Sequence, residues 1–208
     1  MLYLRNVAYH PPATVQPILR DINLELAPQE LGLIIGPSGS GKTTLLEILA
    51  GLASKTGGEI LWREQELNSL DLQQLGGLVF QFPERHFCGK TLLEELRLGH
   101  PEIGVERIKD ALKEVSLEHF PLNTSPHDLS GGQQRRLSLA VQLIRQPNLL
   151  LLDEPTAGLD WSMRRQLSNL LESLKKHWTL LIVSHDPNEL FKIADRRWKI
   201  NHGELKAI

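Results

Sequence analysis

The sequence predicts an α/β fold with a mainly parallel core sheet, an N-terminal antiparallel β part and a helical insert. Three observations carry this expectation. From Asn148, the runs NLLLLD, WSMRRQLSNLLESLKKH, TLLIVSH and PNELFKIAD read as strand, helix, strand, helix, an alternation that builds a parallel sheet with covering helices. Near the N-terminus, YLRNVAY and ILRDINLEL alternate apolar and polar residues, as half-buried antiparallel strands do. Between these regions, from about Leu92 to Phe120, helical spacing runs on without a strong strand signal.

In chain order, HPPATVQP is a turn-rich loop between the first two strands. LGLII (31–35) is a short apolar run ending at glycine, which suits a strand buried on both faces. A helix should follow from Lys42, with Leu45, Leu46, Leu49 and Leu52 on one face. GGEILWR and LGGLVF read as further strands. In the insert, EELRLG and VERIKDALKEVSL carry helical spacing, with Val105, Ile108, Leu112 and Val115 on one side. QQRRLSLAVQLIR follows as another helix, with Leu137, Ala140, Val141 and Ile144 together.

The 208 residues suit one domain with a small inserted subdomain, and 41% hydrophobic content is enough for a core. With 23 basic and 25 acidic residues, the formal net charge of −2 gives no global attraction for nucleic acid or an anionic membrane. No nucleic-acid partner is expected. The single cysteine, Cys88, excludes an internal disulfide. MLYLRNVAYH lacks the pattern of a signal peptide. Apolar runs such as Leu149–Leu152 are far shorter than the ~20 residues of a membrane helix. A role at a membrane therefore requires another chain to supply the membrane part.

Gly36-Pro37-Ser38-Gly39-Ser40-Gly41-Lys42-Thr43, followed by Thr44, fits the phosphate-loop pattern in full. Glycines let backbone N–H groups crowd a phosphate without Cβ clashes, and the following helix points its positive end at the anion. Lys42 can reach the β- and γ-phosphates of ATP, and the Thr43 hydroxyl can ligate Mg²⁺. NLLLLDEP (148–155) supplies Asp153 and Glu154 at a strand end. Asp153 would hold Mg²⁺ through water, and Glu154 would orient or deprotonate the attacking water.

LSGGQQRR (129–136) is a second glycine pair behind a serine. Ser130, Gly131 and Gly132 offer a hydroxyl, two unhindered N–H groups and a helix start, the makings of another phosphate site. If it cannot share its own chain's nucleotide, it serves a partner's. That predicts a head-to-tail dimer with two composite sites.

At this point the sequence resembles the ATP-binding-cassette (ABC) ATPases, P-loop NTPases, over essentially its whole length. GPSGSGKT, Gln81 in VFQFP, LSGGQ, LLLLDEP with AGLD, and IVSHD occur in the family's order. The resemblance implies a single cassette with a mainly antiparallel β part (1–30), a P-loop core (31–90 and 148–208) and a helical subdomain with the signature motif (about 91–147). It implies that Ser130, Gly131, Gly132 and Gln133 cap the γ-phosphate held by another subunit. Gln81 matches the glutamine that senses Mg²⁺ and the attacking water, Asp160 the aspartate that crosses the dimer interface, and His185 the histidine that contacts the γ-phosphate. Thr43, Gln81 and Asp153 then form the Mg²⁺ set. Tyr9 is the candidate to stack on adenine, although strict alignment could place Pro11 there instead.

FQFPERHFCGKTLLEEL (80–96) looks like the energy-coupling-factor branch, which includes cobalt and nickel importers; Phe80, Gln81, Pro83, Glu84 and Phe87 match its F-Q-x-P-(acid)-x-x-(apolar) pattern, and PTAGLD also suits it. The short helical insert and an end soon after NHGEL depart from that branch and suggest a minimal cassette. The resemblance implies an ATP-hydrolysing transporter subunit, cytoplasmic and peripheral on the inner face of the cell membrane. Its partners would be a second copy or a sister ABC ATPase, and integral membrane transporter subunits. Import of a metal ion or vitamin is expected. His10, His86, His100, His119, His127, His177 and His202 are scattered without a ligand pair, so a metal cargo would be bound by the membrane partners. The alternative is a non-transport cassette acting as a molecular clamp. The usual marks of that class are a second cassette in the chain, a coiled coil, zinc-binding cysteines or basic arms, and none occurs here.

Overall fold

The computed structural model describes residues 1–12 and 15–208, with the side chain of Glu84 left out. Ala13 and Thr14 of the HPPATVQP loop, and the Glu84 side chain of the F-Q-x-P-(acid) match, lie outside the described residues. β1 (Leu2–Tyr9) and β2 (Leu19–Leu26) pair antiparallel. β3 (Leu31–Ile35) leads into α1 (Lys42–Leu49). β4 (Gly57–Trp62) and β5 (Gln65–Glu66) then return to the first sheet, giving the order β2-β1-β4-β5. α2 (Ser69–Leu75) and β6 (Gly76–Val79) follow.

The insert region holds α3 (Leu92–Leu96), α4 (Val105–Glu114) and α5 (Gly131–Leu143). The chain then runs through β7 (Leu149–Asp153), α6 (Trp161–Leu174), β8 (Thr179–Ser184) and α7 (Asn188–Ile193). It finishes with β9 (Arg196–Asn201) and β10 (Glu204–Ala207). The second sheet has the order β10-β9-β3-β8-β7-β6, parallel throughout except for β10.

The central strands are buried on both faces, and their two-residue period divides them between two cores. Leu150, Leu152, Leu180 and Ile182 join the cluster formed with α3–α6. Leu149, Leu151, Leu181 and Val183 join the cluster with α1 and the antiparallel sheet. Truncating any of these leucines to alanine should cost about 2–5 kcal/mol. No helix among the described residues is long and apolar enough to cross a membrane.

Several sequence expectations need correction. Leu52 does not share the α1 face: Ala50 caps the helix, Gly51 turns into the left-handed region (φ 71°), and Leu52 is 59% exposed. Val105, the first residue of α4, is 38% exposed, whereas Ile108, Leu112 and Val115 are buried. GGEILWR is a strand as expected, but of the antiparallel sheet. The helix α2 went unrecognised, although Asn68 and Asp71 form a capping box at its start.

Candidate functional site

The loop between β3 and α1 is built for close backbone approach. A Cβ at Gly36 would lie 2.4 Å from the Ile200 carbonyl oxygen, so no larger residue fits. Gly41 (φ 99°) caps α1 without any side-chain hydrogen bond, which leaves the first-turn N–H groups for an anion. Pro37, Ser38 and Gly39 are exposed, Thr44 is half-buried, and the Ser40 hydroxyl is buried without a hydrogen-bond partner. The buried Lys42 ammonium donates to the carbonyls of Gly36 (2.9 Å) and Pro37 (3.0 Å) and lies 3.7 Å from Glu154 Oε1. It bridges loop and acid before any phosphate is considered.

β7 delivers both acids to the same edge. Asp153 Oδ2 accepts from the Thr43 hydroxyl at 2.8 Å, while Oδ1 is buried with no hydrogen-bond partner. Burial pushes the Asp153 carboxyl above its ordinary range; the Thr43 hydrogen bond opposes this, Glu154 adds to it and Lys42 works against it. An orphaned carboxylate oxygen beside a hydroxyl is a hard oxygen donor set, and it fits Mg²⁺. Glu154 sits in the left-handed region (φ 47°), where a non-glycine residue is strained. Its N–H is tied to the Val183 carbonyl at 3.0 Å. Its Oε2 accepts from the Ser184 hydroxyl and the His185 N–H, both at 3.1 Å, with His185 Nδ1 at 2.9 Å.

Lys42, Thr43, Asp153, Glu154 and His185 thus form one connected cluster. Gln81 lies two residues past Val79, which pairs with Leu152, so it shares the sheet edge with Asp153; its side chain is exposed. Tyr9 is half-buried and pairs with Leu19, whose side chain would meet a Cβ on Gly41 at 2.7 Å. That places Tyr9 one strand away from the phosphate loop.

Among the described residues, no hydrogen bond or ion pair joins the signature residues to this cluster. Ser130 caps α5, accepting from the Gln133 N–H at 3.4 Å, and its own N–H donates to Gln133 Oε1 at 2.8 Å. A Cβ on Gly131 would meet nothing within 4 Å, while one on Gly132 would lie 3.1 Å from Met163 Sδ. Asp160 is exposed and caps α6 by accepting from the Met163 N–H at 2.8 Å. Sequence reasoning missed Ser184, whose fully buried hydroxyl holds Glu154; its signal was its place in IVSHD, just before His185. The Arg164–Asp186 ion pair, one residue past His185, was also missed.

Two further hollows lie outside the cluster. An apolar groove of about 260 Å³ beside the Gln81 segment is walled by Phe80, Pro83, Phe87, Leu98 and Val141. A cleft of about 840 Å³ between α4 and α6 mixes Arg107 and Lys113 with Asp110 and Glu114 and shares no residue with the phosphate loop.

A family model described as ABC transporter matches residues 19–157. The chain is 43% identical over 217 residues to "ABC transporter I family member 11, chloroplastic" of Arabidopsis thaliana, covering 96% of this chain and 78% of that protein. It is 35% identical over 215 residues to the energy-coupling factor transporter ATP-binding protein EcfA2 of Clostridium perfringens, covering 96% and 75%. Among solved structures, cbiO1 from Clostridium perfringens, described as part of the ABC transporter complex cbiONQ, superposes with a TM-score of 0.91 at 27% identity, covering 99% and 86%. A dimeric post-hydrolysis structure of the ATP-binding cassette MJ0796 bound to ADP and Pi superposes with a TM-score of 0.82 at 30% identity, covering 99% and 97%.

Proposed function

We propose a function from one premise: the chain belongs to the ABC transporter family and is an ATP-binding, ATP-hydrolysing cassette of it. In our reading it powers import of a metal ion or vitamin through separate integral membrane subunits, on the cytoplasmic face of the membrane. The observation that carries this is the separation of the two phosphate-binding glycine motifs. One is complete with Lys42, Thr43, Asp153 and Glu154, and in the other a Cβ on Gly131 would meet nothing within 4 Å outside its own helix turn.

Two copies, or one copy and a sister cassette, close head to tail. Ser130, Gly131, Gly132 and Gln133 of one then cover the γ-phosphate held by Gly36–Thr44 of the other, and Asp160 crosses the interface. Lys42 leaves the Gly36 and Pro37 carbonyls for the β- and γ-phosphates. Thr43, Gln81 and, through water, Asp153 would hold Mg²⁺, which when bound would supply charge neutralisation of those phosphates. Glu154 takes the proton of the attacking water while His185 steadies the γ-phosphate. Tyr9 stacks on adenine. The apolar groove beside Gln81 receives the membrane subunit, which links nucleotide state to transport. Relatives named as energy-coupling-factor and cbiONQ components support import.

The test is affinity capture from detergent-solubilised native membranes with tagged Glu154→Gln, ATP and Mg²⁺, followed by mass spectrometry. Co-purification of a polytopic membrane protein is expected. Recovery of soluble partners alone, under conditions that preserve a known transporter complex, would refute the transport reading. In solution, Glu154→Gln should bind ATP, form a dimer and barely hydrolyse; near-normal turnover would remove Glu154 from the role of base.

A further inference from the structure

Three carboxylic acids are almost fully buried among the described residues: Asp153 (5% exposed), Glu154 (6%) and Glu95 (4%). The first two belong to the hydrolytic cluster. Glu95, in α3, has no part in it. Its Oε2 accepts from two successive backbone N–H groups, Cys88 at 2.8 Å and Gly89 at 2.7 Å. Hydrogen bonds to a carboxylate are the stronger kind, and a buried carboxylate stripped of its donors is costly. The contact therefore favours a fully latched arrangement over a loosened one.

The surroundings tighten the same joint. A Cβ on Gly89 would lie 2.4 Å from the Glu95 nitrogen, so the loop rests directly on the helix backbone. Glu94 accepts from the Lys90 N–H at 2.9 Å, extending the seam by one residue. At its other end the segment leaves Gln81 through Phe82, a bulky residue held in the left-handed region (φ 59°). Strain of that kind collects at switch positions. Glu95 also lines the apolar groove, and its helix neighbours Leu92 and Leu96 are rooted in the core of the insert.

We propose that Glu95 is a positioning residue that locks the segment from Pro83 to Lys90 onto α3. A displacement of Gln81 then reaches the insert and the groove as one rigid movement, pivoting at Phe82. Without the latch, the loop absorbs the displacement. This inference rests on the transport reading of the Gln81 segment given above.

Cys88 is the single cysteine of the chain and is exposed, so a nitroxide label attached there reports the joint directly. Spectra are recorded without nucleotide and with ATP and Mg²⁺, in the Glu154→Gln background, for otherwise unchanged protein, Glu95→Gln, Glu95→Ala and Gly89→Ala. The unchanged protein should give a restricted spectrum that shifts with ATP. Glu95→Ala should give a mobile spectrum with no ATP response, while its nucleotide affinity stays unchanged. Glu95→Gln keeps an acceptor oxygen and should restore the response. Gly89→Ala should reproduce the alanine variant without touching the carboxylate, and it serves if Glu95→Ala fails to fold. A folded Glu95→Ala or Gly89→Ala protein that keeps the full ATP response would overturn the proposal. So would an unchanged protein that dimerises with ATP yet shows no shift at Cys88. Failure to dimerise at all would bring down the underlying reading instead.

Discussion

Gly131→Ala separates what one chain needs from what a pair of chains needs. Gly131 is the first residue of α5, and an added Cβ would meet no protein atom within 4 Å. Nothing in the single chain opposes the methyl group. Alanine is the better helix former by at most about 1 kcal/mol, and less at a helix end. For a domain of this size, that corresponds to a melting temperature unchanged or raised by no more than about 4 °C. Nucleotide affinity of the single chain should not move, because the phosphate loop and Lys42 lie elsewhere. In the proposed head-to-tail pair, the methyl group would stand where a phosphate oxygen must approach the Gly131 N–H. Loss of one such donor in a hydrolytic site typically costs on the order of 10²–10³ in turnover. The assay pairs a thermal melt with phosphate release at several protein concentrations, and with binding of a fluorescent ATP analogue. A stable variant that binds ATP but does not turn it over is expected. Turnover within about threefold of the parent protein, against the hundredfold loss that a missing donor implies, would refute the placement of this motif on a partner's nucleotide.

Other outcomes follow from the same geometry. Gly41→Ala combines a positive φ with a 2.7 Å approach to Leu19 Cδ2, so it should lose about 2–4 kcal/mol in chemical denaturation; Gly39→Ala, also at a positive φ (77°) but with no neighbour within 4 Å, should lose only the backbone cost of about 1–2 kcal/mol. Asp153 has its folded value raised above 3.8, so in metal-free protein its contribution to stability is fully present below 3.8 and is lost as pH rises through the folded value. Asp153→Asn should flatten that part of a plot of urea midpoint against pH, and an unchanged slope would show that the burial is harmless. Trp161 is 66% exposed beside Asp160, so its emission should shift to the blue when Glu154→Gln pairs in ATP; no change on a dimer verified by sedimentation would place Trp161 outside the interface.

The phosphate loop and the acids of β7 were legible because each is a contiguous motif bounded by an apolar strand. What stayed hidden depends on register between distant segments. Ser184 reaches Glu154 only because Asp153 pairs with Val183, a match across thirty residues that no local pattern encodes. The recruitment of β4 and β5 to the antiparallel sheet is of the same kind. Leu52 and α2 were different failures, since the signals were written locally. Gly51 announced the end of α1, and Asn68 with Asp71 announced the start of a seven-residue helix. Short elements bury few residues, so periodicity gives them little weight and capping chemistry has to be read instead.

The position of β3 has a bearing on how the molecule is made. This strand carries the phosphate loop, yet both of its neighbours in the sheet, β8 and β9, come from residues 179–201. A growing chain on the ribosome holds the loop sequence early but lacks both sheet neighbours of its strand until residues 179–201 have emerged. The loop strand must wait for these distant partners, which is a slow kind of pairing. Nucleotide capture is therefore expected only after these strands are made, so that a translation product truncated before β8 would carry the motif without the ability to engage ATP.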